Sequence, residues 1–157
     1  MHYADIKKID IANGEGVRVS LFVSGCRHHC KGCFNEIAWN FKYGKEFTQD
    51  TVNEIIQDLD HDYVEGLSLL GGEPLEPENQ EALAELVTKV KDKYPNKNIW
   101  CYTGFDFEKD IMPECKTSVV TKQLISNIDV IVDGKFDENK MDRKLKFRGS
   151  SNQRIID

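Results

Sequence analysis

No run of apolar residues in this sequence approaches the roughly 20 that a helix needs to cross a bilayer, so no membrane association is expected. The first residues, Met1-His2-Tyr3-Ala4-Asp5-Ile6-Lys7-Lys8, lack the features of a signal peptide. An even cysteine set is also missing. Five cysteines, three of them bunched, argue against the paired framework of a secreted disulfide scaffold. A cytoplasmic location is the expectation. Basic residues are few and not interleaved with stacking aromatics, which argues against a nucleic-acid partner. Repeats, low-complexity tracts and linkers are absent too, so the 157 residues are expected to form a single domain, 1–157, with a real core. Its 39% hydrophobic and 31% charged content fits a globular protein. The net charge of −6 is uneven, because residues 134–154 hold seven Lys or Arg against Asp137, Glu138 and Asp142. That basic segment is a candidate docking or anion-contacting element, or a solvated loop.

What the chain does have is Ser24-Gly25-Cys26-Arg27-His28-His29-Cys30-Lys31-Gly32-Cys33. It follows Val17–Val23, in which Val17, Val19, Leu21 and Val23 share one face by the two-residue period of a strand. Thiolates spaced C-x3-C-x2-C, with Gly25 and Gly32 allowing sharp turns, can converge on one inorganic centre. The number three is informative. Structural zinc and electron-transfer clusters usually take four protein ligands, whereas three leave a metal position open for a small molecule. An iron–sulfur cubane held by Cys26, Cys30 and Cys33 would have one such iron. Zinc, completed by Cys101, Cys115 or a histidine, is the other reading of these residues, as are three unrelated buried thiols.

Elsewhere the periodicities give an orderly chain. Asn13-Gly14 between apolar runs predicts a hairpin of residues 5–12 and 17–23, with Arg18 facing outward or touching the loop. Val52, Ile55, Ile56 and Leu59 mark an amphipathic helix over 48–60, and Leu83, Leu86, Val87 and Val90 another from Pro77 to Tyr94. Short strands are expected at 66–70, 98–103 and 128–132, and a last one near Ile155. Phe34, Trp39 and Phe41 either shield the cysteine loop or pack the core. Gly71-Gly72-Glu73-Pro74 ends the first of those short strands. Its glycines let backbone approach a ligand, and Glu73 adds an acceptor able to bind an ammonium group. Candidate groups thus follow strands at Cys26, Gly71, Thr103 and Asp133, the pattern of a parallel α/β sheet or barrel. A complete eight-stranded barrel takes about 250 residues, so any barrel here is partial.

The cysteine loop and Gly71-Gly72-Glu73 together resemble the cluster motif and the second, glycine-glycine-glutamate motif of the radical S-adenosylmethionine (SAM) enzymes. Further segments narrow the likeness: Asn13–Arg18, Gly32-Cys33-Phe34-Asn35, Tyr102–Phe105, Val132–Phe136 and Arg148–Gln153. With these the chain resembles the glycyl-radical activases, specifically the family acting on anaerobic ribonucleotide reductase, and the likeness runs from residue 13 to 153. The resemblance implies a short, partial (truncated) TIM-like radical-SAM barrel of parallel strands flanked by helices. It also implies one [4Fe-4S] cluster on Cys26, Cys30 and Cys33, and bound SAM. Gly71, Gly72 and Glu73 would lie at the methionine ammonium, with Gly32, Cys33 and Phe34 beside the cofactor. The adenine contact is either the Gly32 backbone or the Phe34 ring, because the aromatic that commonly precedes the third cysteine in this class follows it here. The implied partners are the large subunit of the reductase, through its glycine loop, and a one-electron donor such as a flavodoxin. Activation of another glycyl-radical enzyme, a small-molecule radical-SAM reaction and a zinc-binding interaction module are the rival readings.

Overall fold

The computed structural model describes residues 1–33 and 36–157. Its strands are β1 (His2–Asp10), β2 (Val17–Val23), β3 (Lys45–Glu46), β4 (Val64–Gly71), β5 (Asn98–Tyr102), β6 (Val130–Asp133) and β7 (Arg154–Ile156). They form one sheet in the order β3-β1-β2-β4-β5-β6-β7. The pairings β2–β4, β4–β5 and β5–β6 are parallel, whereas β1, β3 and β7 join antiparallel. The expected parallel α/β sheet therefore holds for the four central strands and not for the edges. The Asn13–Gly16 turn is too short for a crossover, so β1 and β2 can only form a hairpin. The sheet is open: its outermost strands, β3 and β7, do not pair with each other, and it does not close into a TIM barrel.

Helices α1 (Gln49–Asp58), α2 (Pro77–Lys93), α3 (Met112–Thr117) and α4 (Val119–Ser126) are the α-helices among the described residues. At the start of α1 the Thr48 N–H donates to the Thr51 hydroxyl at 3.1 Å, covering one terminal donor. Pro77 opens α2, where its missing N–H costs nothing, and Lys91 and Lys93 sit in the last turn, suiting the helix dipole. None of these helices is long and apolar enough to cross a membrane.

Alternation along the strands sorts the sheet into two unlike faces. Val19, Leu21, Leu67, Leu69, Ile99 and Cys101 join Val52 and Ile55 of α1, Leu83, Leu86, Val87 and Val90 of α2, and Leu124 of α4 in one apolar core. Each fully buried side chain of this kind contributes roughly 1.5–3 kcal/mol. On the opposite face the register aligns Lys7 with Ser20, Ser20 with Ser68, and Ser68 with Trp100. One row further along, Asp5, Phe22 and Leu70 align, and Tyr102 pairs with Val132. No helix is needed on that side, because it lines a cavity instead.

Arg18 lies on this second face and is fully buried, not outward-facing. Its guanidinium donates to Ser68 Oγ (2.7 Å) and to the carbonyls of Glu15 (3.0 Å), Leu67 (3.0 Å) and Asn98 (3.1 Å), and its carbon stands 5.5 Å from the Trp100 ring centre. Burial lowers its pKa to about 10. The loop contact that the sequence allowed is real, and it ties the hairpin turn to the sheet.

Candidate cluster and cofactor site

Strands β2 and β4 are separated by about forty residues of chain yet lie side by side, with Val23 opposite Gly71. Their C-terminal loops are therefore neighbours. Gly72 N–H donates to Val23 O at 2.8 Å, and Glu73 N–H to Gly25 O at 2.7 Å. The cysteine loop is fixed on its other side by Gly25 N–H to Ala38 O (2.7 Å) and Cys26 N–H to Trp39 O (3.2 Å). Such spacing leaves no room at Gly72, where a Cβ would stand 2.5 Å from Gly25 O and 2.9 Å from Ala38 O. Gly72→Ala is accordingly expected to push the two loops apart and cost about 2 kcal/mol. Thermal melting of the cluster-free protein measures this, and an unchanged midpoint would show that the loops tolerate separation.

Arg27 anchors the cysteine loop to the start of α2. Its N–H donates to Glu76 Oε2 at 2.7 Å, and its guanidinium reaches Glu76 and, in a very close pair, Glu78. The Arg27 group also lies over the Phe41 ring, 4.5 Å from its centre. His29 adopts a positive φ of 48° and stacks on Trp39 with ring centres 4.3 Å apart. Trp39 thus flanks the cysteine loop directly, while Phe41 packs beneath Gly25.

Cys26, Cys30 and Cys33 line one cavity of about 770 Å³, together with Gly71, Gly72, Glu73, Thr103 and Gly104. This volume is within the roughly 300–1,000 Å³ of small-ligand pockets. Burial pushes the Cys26 thiol up to about 11, opposed by the backbone N–H groups of His28 and His29 directed at its sulfur. Cys30 is raised by burial as well, with the Phe136 N–H opposing. Amides aimed at these sulfurs suit thiolates bound to a metal, and such bonds tune an iron–sulfur centre. Three soft thiol donors on one cavity suit an iron–sulfur cluster. Tetrahedral zinc at about 2.3 Å from sulfur would draw its ligand sulfurs to roughly 4 Å of one another. Among the described residues, the ligand atoms that lie mutually within 4.8 Å belong to Asp106, Glu108 and Asp133. Arg154 already bridges two of these three, contacting Asp133 at 3.0 and 2.6 Å and Glu108 at 3.2 and 2.6 Å.

The other two thiols are elsewhere. Cys101 belongs to the apolar core under the helices, where burial holds its pKa well above the ordinary thiol value. Cys115 sits on α3, beside a surface groove with Met112 and Val119. Neither is among the cavity-lining residues.

Glu73 is the most enclosed group at the site, its side chain 1% exposed. Oε1 accepts from Gly104 N–H (2.6 Å) and His28 Nε2 (2.7 Å), and Oε2 from Leu75 N–H (2.8 Å) and Thr103 Oγ1 (2.8 Å). Its backbone carbonyl also accepts from Asn79 Nδ2 at 3.0 Å. The carboxylate's approximately four lone-pair positions are thus all in use. Thr103, placed after a strand, here serves Glu73. The role of His28 has no local sequence signal, since its partner lies 45 residues away. Gly32 has φ 75° and faces Glu138 and Phe136, so it meets the basic segment, whose Leu145, Phe147 and Arg148 also line the cavity. The contact expected of Phe34 lies outside the described residues.

Over residues 12–156 the chain matches the family model described as a 4Fe-4S single cluster domain, which sets its class: a domain built around one iron–sulfur cluster. Relatives that bear the name anaerobic ribonucleoside-triphosphate reductase-activating protein include those of a phage and two bacteria. That of Enterobacteria phage T4 is 43% identical over 155 residues, covering 99% of this chain and 93% of its own. The protein of Pasteurella multocida is 41% identical over 157 residues (99% and 96% covered), and that of Escherichia coli 39% over 155 (98% and 96%). This chain belongs to that family of activating proteins.

Proposed function

We propose that this protein cleaves SAM reductively at a [4Fe-4S] cluster ligated by Cys26, Cys30 and Cys33, and so generates a glycyl radical on anaerobic ribonucleotide reductase. The observation that carries this reading is the side-by-side placement of β2 and β4, which sets three thiols and the Gly71–Glu73 loop on one cavity. When bound, the reduced cluster and SAM supply a 5′-deoxyadenosyl radical able to remove a hydrogen atom from glycine, with methionine as the other product.

The chain's own residues bind, orient and shield. Cys26, Cys30 and Cys33 would hold the cluster and leave one iron for the amino and carboxylate groups of the methionine portion. The backbone carbonyls of Gly71 and Gly72 would accept from its ammonium, while the Glu73 carboxylate, bonded on all sides, holds that loop in shape. Gly32 and Cys33, which border the same cavity region, would face the adenosyl end. Below, Phe22, Leu70, Tyr102 and Val132 form an apolar floor that keeps water from a reactive intermediate. The sheet acts as a partial radical-SAM barrel, and its open side admits the glycine loop of the reductase large subunit. A one-electron donor such as a flavodoxin, in the cytoplasm, completes the cycle. Family membership with the named activating proteins supports the choice of partner.

The test is anaerobic turnover of iron- and sulfide-reconstituted, chemically reduced protein with SAM, scoring 5′-deoxyadenosine and methionine in the presence of the reductase. Both products, with a glycyl-radical signal on the reductase, are expected. An intact cluster that yields neither product, even with the reductase bound, would refute the proposal.

A further inference from the structure

The four donors to Glu73 come from three parts of the chain. Leu75 N–H is from its own loop, Thr103 and Gly104 from the end of β5, and His28 from the cysteine loop. A carboxylate only accepts, so His28 presents Nε2–H to it. The ring has little freedom. Its side chain is 8% exposed, it meets Phe105 edge-on with centres 4.6 Å apart, and it lies against Gly104, where a Cβ would stand 2.6 Å from the imidazole. The backbone N–H of the same residue is directed at the sulfur of Cys26. His28 therefore touches the metal-ligating side of the site with its main chain and the Gly71–Glu73 side with its ring.

We propose that His28 is a positioning residue for SAM, and the proposal rests on the radical-SAM reading above. The backbone bonds already hold the two loops side by side, and the Nε2–H···Oε1 bond adds the side-chain tie that orients the Glu73 end of the loop before any ligand arrives. A methionine group chelated to the cluster then finds its ammonium acceptors already in place, without the ordering cost that a loose loop would add to binding. The bond acts on binding and not on the radical step: His28 lines the cavity, but its Nε2–H is spent on the Glu73 carboxylate. A glutamine can restore it, since its amide also donates.

The experiment compares wild type, His28→Ala and His28→Gln, each reconstituted with iron and sulfide. Cluster content is assayed first, then the change in the reduced cluster's EPR spectrum on titration with SAM, then KM and kcat for 5′-deoxyadenosine formation. His28→Ala is expected to hold a full cluster, to need about tenfold or more SAM for the spectral change, and to show a matching rise in KM with kcat nearly unchanged. His28→Gln is expected to return most of the affinity. An alanine variant that titrates as wild type, or one that fails to hold a cluster, overturns the proposal, as does a glutamine variant no better than alanine. A wild-type cluster that gives no spectral response to SAM overturns the radical-SAM reading itself, together with the role that rests on it.

Discussion

Alanine at Cys26, Cys30 or Cys33, one at a time, is expected to abolish both [4Fe-4S] assembly and SAM cleavage, a loss of at least about a thousandfold in turnover. In the proposed site each thiolate would be one of three protein ligands, so a single loss would remove a third of the cluster's anchorage with no redundancy to absorb it. The remaining thiols cannot step in. Cys101 lies under the helices in the apolar core, and Cys115 sits on α3 beside a surface groove. Cys115→Ala is accordingly expected to leave cluster content and turnover unchanged. Cys101→Ala should do the same while costing about 1 kcal/mol of stability for the lost packing. Iron, sulfide and 5′-deoxyadenosine assays on the five variants check this. One active variant among the first three refutes the ligand assignment, and loss of bound metal in Cys101→Ala or Cys115→Ala would revive the zinc reading.

The second large effect concerns stability. Arg18→Met is expected to destabilise the fold by about 3 kcal/mol, since the carbonyls of Glu15, Leu67 and Asn98 and the Ser68 hydroxyl lose a donor in a buried place. The relief of no longer burying a guanidinium offsets part of that cost. The expected fall in melting temperature is roughly 6–12 °C for a chain of this size. Arg18→Lys should recover little, because a point ammonium cannot span Ser68 and three carbonyls at once. The cysteine loop lies at the other end of β2, so iron and sulfide content should stay at the wild-type level in both variants. Denaturant unfolding of the cluster-free protein gives the measurement, and a loss below about 1 kcal/mol would show that water or rearranged neighbours replace the guanidinium.

Much of the molecule was legible in the chain because its signals are local. The two-residue period of Val17–Val23 and the helical periods of 48–60 and 77–94 follow from which side chains must face a core, and the elements formed within a few residues of those bounds. The cysteine spacing and the glycines beside it are also local, since ligands three and four residues apart need only a tight loop to converge. The short strand Lys45–Glu46 gave no such sign: two exposed residues carry no period, and they pair with His2 and Tyr3 only because β1 offers an edge.

Composition and spacing by themselves pointed to a three-thiol centre on a parallel α/β sheet and to most of its strands and helices, whereas the class of protein came from its likeness to a known family. Tertiary structure decided what depends on neighbours distant in sequence. It turned Arg18 inward, because three carbonyls and a serine from three separate segments meet there. It set the Gly71–Glu73 loop against the cysteine loop, because β4 pairs with β2. It also turned Glu73 from an available acceptor into a bonded knot, with His28, Thr103 and Gly104 arriving from other strands' ends. A residue's period says which face it occupies; its partners exist only once the sheet has brought those faces together.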